Sequence, residues 1–219
     1  MRAEMRGSTL IVDLGKRHRC MSSAVLGGGV GEIRTWMNLQ VPGDYARLDP
    51  LLDLREHSRP LVGPVVGMMT AADVRRFGRG ESRGALAWAT TGVGHATAAA
   101  GRRPRGLGSV GTINILVVTD EPISETGLVN AVQTAVEAKA QALANERIVA
   151  GNSHGWATGT PTDSICVATP IGPGSDFAGP GTAVGSALAR AVHGAVTDGL
   201  RLTREIQHTQ RRRAHGNTR

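Results

Sequence analysis

The stretch GTINILVVT (111–119), with DEP (120–122) and SETGLVNAVQTAVEAKAQALANE (124–146) behind it, decides how the chain is read. The first run is apolar almost without alternation, the pattern of a strand covered on both faces. Asp120, Glu121 and Pro122 end it in a turn. Ser124 is an N-cap residue, and Glu125 stands in the first turn, where a carboxylate suits the helix dipole. At about 100° per residue, Leu128, Val132, Ala135, Val136 and Leu143 fall within one apolar arc. Lys139 falls inside that arc. Glu137 points almost the opposite way, beside Asn130, Gln133, Thr134 and Gln141. A strand covered on both sides and followed by a one-faced helix calls for stacked α and β layers.

Working outward, 8–14 (STLIVDL) and 19–26 (RCMSSAVL) read as two strands, and the glycines at 27–29 as a sharp break before extended structure over 32–41. Residues 45–57 read as a helix interrupted by Pro50. An apolar run, 61–69, predicts a buried strand, and Thr70 is placed to cap a short helix over 71–77 with Asp73 in its first turn. A strand over 85–91 enters the loop Gly92, Val93, Gly94, His95. Residues 101–108, rich in Arg and Gly, are the candidate mobile loop. Residues 163–168 read as a strand and 170–180 as a connector. The closing helix, 182–205, has Val184, Leu188, Ala191, Val192, Ala195 and Val196 spaced for one buried face. No repeat or linker interrupts the pattern. The expectation is one α/β (α+β) domain over 1–206, mixed β-sheet layers packed by a long central helix and a C-terminal helix. A basic, flexible tail over 207–219 follows.

Composition narrows the function classes. Thirty glycines and ten prolines exclude a helical bundle, and aromatics are 3% of the chain, too few to build stacking platforms for single-stranded nucleic acid. Of the net charge of +7, four units lie between Arg204 and Arg219, so the body is mildly basic. The tail is the one candidate for nucleic acid or an anionic surface, and a solvated terminus is the simpler reading. Cys20 and Cys166 lack metal or redox spacing and read as buried free thiols of a reducing compartment. No apolar run of membrane-spanning or signal-peptide length occurs, so a cytoplasmic protein without membrane contact is expected. A homo-oligomer is compatible with all of this.

Lys139 is the first candidate for chemistry. An ammonium on a buried face must pair, lose its proton or snorkel out. It is either half of a structural ion pair, with Asp163 or Asp120, or part of a catalytic or ligand site. The run TGTPTD (158–163) offers hydroxyls and exposed backbone N–H groups at the mouth of a strand, suited to amide or oxyanion recognition. It reads equally as a polar turn. Ser22 and Ser23 lack the nucleophile-elbow pattern, and no phosphate-binding glycine motif is present. The seven histidines have no metal-ligand spacing, so no protein-bound metal is expected.

Seven segments in order resemble the adenosylcobinamide amidohydrolases: SSAVL (22–26), VGMMTAA (66–72), TTGVG (90–94), GTINI (111–115), TAVEAK (134–139), TGTPTD (158–163) and DFAG (176–179). The resemblance covers nearly the whole domain. Two positions depart from the family pattern, Gly27 and His95, where asparagine is expected. The resemblance implies hydrolysis of the amide joining aminopropanol to the corrin ring of adenosylcobinamide. The product would be cobyric acid for cobamide (vitamin B12) salvage. No cofactor is implied, since cobalt enters with the corrinoid substrate. Catalysis is expected from Glu137 or Asp163 activating water, with Lys139 stabilising charge. A hydroxyl nucleophile, Ser22 or Thr162, with Lys139 as base is the competing scheme. Substrate contacts are expected from Ser22, Ser23, Asn38, Thr70, Gly92, His95, Thr112, Asn114, Thr158, Thr160 and Thr162. A non-catalytic corrinoid-binding protein is the alternative.

Overall fold

A computed structural model of the protein describes residues 1–103 and 111–216, with side chains through Arg204. Its strands are β1 (Arg2–Arg6), β2 (Thr9–Ser22), β3 (Gly29–Gln40), β4 (Val65–Thr70), β5 (Gly78–Ser82), β6 (Ala85–Thr91), β7 (Ile113–Thr119) and β8 (Ser164–Pro170). Its helices are α1 (Pro50–Ser58), α2 (Glu125–Asn145) and α3 (Ala183–Gly216), with a 3-10 turn at Val74–Arg76.

Every residue of β7 is buried, as its unbroken apolar run requires. Ile113, Ile115 and Val117 pack with α2 and α3, while Leu116 and Val118 point into a second core holding Leu10, Val12, Trp36 and Met68. The strands run in the order β4-β3-β2-β8-β7-β6-β5, with β1 beside β2. The β3–β4 and β7–β8 pairs are parallel and the rest antiparallel, so the sheet is mixed. β2 carries the chain between the halves. One of its edges pairs with β1 over residues 9–13 and with β8 over 18–22, and its register slips between Asp13 and His18 at Gly15, where φ is 77°. The sheet folds back on itself there, putting β2–β4 over β6–β8 with the second core between them. α2 and α3 cover the outer face of β6–β8. On the opposite outer face Leu54 of α1 packs on Ile11, Met37 and Leu39. The result is an α/β/β/α stack, the expected mixed-sheet α+β class. Among the described residues no helix is long and apolar enough to cross a membrane.

Several expected elements take a different form. The strands expected at 8–14 and 19–26 are one bulged strand, and β3 starts at Gly29. Pro50 opens α1 instead of interrupting it: it occupies the first helical turn, behind an Asp49 cap that accepts from Leu51 N at 3.1 Å. The helix expected over 71–77 shrinks to the 3-10 turn capped by Asp73, and Thr70 Oγ1 accepts from Ala72 N at 3.0 Å. The buried stripe of α2 runs through Ala131, Ala135, Ala138 and Ala142, leaving Val136 exposed, because small residues let the helix settle closer to sheet and α3. α3 keeps the expected face and continues through Gly216, over most of the segment expected as a separate tail. Of the expected loop 101–108, residues 104–108 lie outside the described residues.

Candidate functional site

The ends of β2, β4 and β6 meet the starts of β7 and β8 at one end of the stack. Strand alternation sorts their side chains onto two faces. Thr90, Asn114 and Ser164 stand side by side in register on β6, β7 and β8, turned toward the inter-sheet core because Trp88, Leu116 and Cys166 are. Asn38 and Thr70 come from the opposing strands. Asn114 Nδ2 donates to Asn38 Oδ1 and to Met69 O, each at 2.8 Å, and Asn38 Nδ2 donates to Thr90 Oγ1 at 2.8 Å. This amide chain is almost wholly buried, yet among the described residues Asn114 Oδ1 has no partner. Such an orphan acceptor costs free energy, the kind of expense found at sites kept for a purpose other than stability.

Hydroxyls rim the mouth above this chain. Thr112 Oγ1 and Thr162 Oγ1 are 2.7 Å apart, and Thr162 also donates to Gly111 O at 3.3 Å. Ser23 Oγ accepts from Ile165 N at 3.0 Å and lies 3.3 Å from Ser164 Oγ, while Ser22 Oγ accepts from Ala24 N at 3.1 Å. Gly92 N donates to Thr112 O at 2.9 Å. A Cβ on Gly111 would lie 2.6 Å from Gly92 O, so the two loops approach as closely as glycine allows. His95 is half-buried in the same loop, and its Nδ1 is buried without a partner among the described residues.

Lys139 and Asp163 lie behind this wall, on the face of β8 turned to α2. Lys139 is 6% exposed and its Nζ donates to Asp163 Oδ2. Of its two expected partners, Asp163 and not Asp120 is the one engaged. Asp163 Oδ1 accepts from Ile113 N at 3.0 Å and from the Thr160 hydroxyl, and Oδ2 also from Thr160 N at 3.0 Å. Four donors therefore fill the carboxylate, offsetting much of the desolvation penalty of a buried pair. Gly159 lies against the pair: a Cβ there would stand 2.4 Å from Asp163 Oδ2 and 2.6 Å from Lys139 Nζ. Thr97 clasps the same loop, taking Thr158 N and Gly159 N on its carbonyl at 2.9 and 3.2 Å, and Thr158 Oγ1 accepts from Ala99 N at 2.9 Å. Glu137 is exposed on the far side of α2 and hydrogen-bonds to none of these groups. The site thus offers neutral donors and acceptors at its mouth and a fixed ion pair behind its loop.

The family model described as adenosylcobinamide amidohydrolase matches residues 1–208. An adenosylcobinamide amidohydrolase of Methanosarcina mazei is 30% identical over 195 residues, covering 84% of this chain and 90% of that protein. The chain belongs to the adenosylcobinamide amidohydrolase family. An uncharacterized protein of Methanocaldococcus jannaschii is 34% identical over 93 residues, a match that spans 42% of this chain and 36% of that protein. Among solved structures, a Burkholderia sp. beta-aminopeptidase aligns with 90% of this chain and 81% of its own at 15% identity, with a TM-score of 0.45.

Six of the seven family segments contribute to this end of the stack. The seventh, 176–179, sits at the other end. There Asp176 accepts from the Ser124 hydroxyl, Ala178 N donates to Asn130 Oδ1 at 2.9 Å, and Ala178 O accepts from Thr134 at 2.9 Å. That segment seats α2 and α3. Of the two positions where asparagine was expected, Gly27 has φ 68° and would bring a Cβ to 2.3 Å from Val65 O. Thr90, Ser164 and Gly159 complete the arrangement and were outside the expected site set. For the first two the signal was present, as each is a polar residue at a position that alternation with Trp88 or Cys166 sends inward.

Proposed function

We propose that the protein hydrolyses the amide joining aminopropanol to the corrin ring of adenosylcobinamide, giving adenosylcobyric acid for cobamide salvage. The observation that carries this reading is the likeness to a relative bearing that activity's name, over 90% of its length. The neutral hydroxyl groups at the mouth support it. They are suited to the carboxamides that ring a corrinoid and carry no charge that would need a counter-ion. Cobalt belongs to the substrate.

Hydrolysis adds water across the C–N bond: oxygen joins the carbonyl carbon, and the amine leaves with a proton. Asp163 has four donors on it, which favours a holding role over that of water's base. Glu137 stands apart. The paired Lys139 then acts as a fixed positive charge that keeps the 158–163 loop in place. Thr162 is exposed at the mouth and held by Thr112, so its hydroxyl is the group best placed to meet the scissile amide, as nucleophile or as donor to the developing oxyanion.

Incubation of the purified protein with adenosylcobinamide, followed by liquid chromatography and mass spectrometry, tests the reading. Adenosylcobyric acid and free aminopropanol are expected, and Lys139→Met should abolish their formation. Intact substrate that co-elutes with the protein would replace the reading with a non-catalytic corrinoid binder. Neither turnover nor binding would overturn both.

A further inference from the structure

We infer that the cleft beside the 92–94 loop is a second recognition pocket, in which Arg76 reads the carbonyl of a peripheral carboxamide on the substrate. The inference rests on the adenosylcobinamide reading. The cleft has a volume of about 370 Å³ and is bounded by Ala72, Arg76, Thr91, the 92–94 loop and Thr203. It adjoins the hydroxyl mouth through Gly92, whose N–H bonds Thr112 O and whose missing Cβ would stand 3.3 Å from that of Ala72. Thr91 turns away from the inter-sheet core that Thr90 faces, and its hydroxyl lies 3.5 Å from that of Thr203. The cleft is therefore separate from the buried amide chain, although the same strand end builds both.

Charge and hydrogen-bonding capacity decide what it takes. Asp73 is occupied from within: Oδ1 accepts from Arg75 N and Arg75 Nε at 3.1 and 2.9 Å, and Oδ2 lies 3.0 Å from Arg76 Nε. The ion contact keeps the half-buried Arg76 guanidinium beside the cleft, and among the described residues no acceptor hydrogen-bonds its nitrogens. The cleft thus presents free donors whose charge a carboxylate already balances in part. That combination suits a neutral acceptor better than an anion, which would seek uncompensated charge. A corrinoid held at one carboxamide by the hydroxyl mouth carries further carboxamides around the same ring, and this cleft is an adjoining concave surface able to receive one. Its volume accommodates an amide-bearing arm and part of the ring edge.

Steady-state kinetics and calorimetric binding of adenosylcobinamide, on the wild type, Arg76→Ala and Arg76→Lys, test the assignment. Arg76→Ala should raise KM and Kd about 10- to 100-fold, with kcat within about twofold, as loss of one charged hydrogen bond implies. Arg76→Lys should fall between, and both variants should melt as the wild type does. Unchanged KM and Kd would overturn the inference, as would a fall in kcat alone. If the wild type binds adenosylcobinamide but does not turn it over, the amidohydrolase reading fails and the Kd series still decides this one. Inorganic phosphate is the remaining probe: competition with substrate that disappears in Arg76→Ala would make the cleft an anion site and overturn the carboxamide assignment.

Discussion

Gly159 concentrates the site's demands at one position. It has no room for a Cβ because a carboxylate and an ammonium already occupy that space. Gly159→Ala should separate Lys139 from Asp163 and leave two buried charges badly paired. The expected cost is about 3 kcal/mol or more, read from urea unfolding, together with a large loss of turnover. Wild-type stability in this variant would show that the loop yields easily and that the pair is not its anchor. Cys20 and Cys166 make a quieter case. Both are free and buried, and the neighbouring Cys20 thiol, with burial second, pushes the Cys166 thiol up. Neither should react with a thiol reagent at neutral pH until the protein is unfolded, when both should titrate. The inward face of Lys139 was legible from helical periodicity, and the burial of both thiols from their unpaired spacing in the sequence. The partner of Lys139 was narrowed to Asp163 or Asp120 and no further, because Asp163 is brought to it by strand pairing, which leaves no trace in local spacing.

Element by element, the chain misleads where close backbone approach replaces apolar bulk. β5 (GRGES) carries no hydrophobic alternation, yet it is a strand, because Gly78 and Gly80 let α3 lie directly against it. A Cβ on Gly80 would stand 1.9 Å from Ala191 O and 2.4 Å from Ala195 N, both backbone atoms of the helix. Gly80→Ala should push α3 off the sheet and cost about 3 kcal/mol, seen as a lower unfolding midpoint. An unchanged midpoint would mean that the helix slides at little cost. The bulge of β2 gives a pH-dependent counterpart. His18 is buried there beside Lys16 O, 3.0 Å from its Nδ1, and burial foremost lowers its pKa from the usual 6.5. The folded state therefore binds its proton less readily than the unfolded chain does, so stability present above about pH 6.5 is lost as pH falls toward the folded value. His18→Gln should flatten the dependence of melting temperature on pH below neutrality. An equally steep variant would place the acid sensitivity elsewhere.

For the molecule as a whole, the class was legible and the route through it was not. Runs such as 111–119 announce strands covered on both faces, but nothing local says that β2 spans two halves of a folded-back sheet or that β8 enters between β2 and β7. The same separation governs the site: its segments keep their order along the chain, while their convergence depends on distant contacts such as that of Ile165 N with Ser23 Oγ, 142 residues apart. Charge is distributed the opposite way, with the strongest sequence signal lying outside the site. The family match ends at residue 208, whereas the arginine run begins at Arg211. Deleting residues 209–219 removes four arginines and takes the formal charge from +7 to +3. If function resides in the strand-end mouth, the shortened protein should turn over adenosylcobinamide within about twofold of the full chain and elute from heparin at lower salt, as fewer cationic contacts require. A tenfold loss of turnover would tie the end of α3 to the site, and an unchanged elution would show that the arginines do not set the protein's affinity for polyanions.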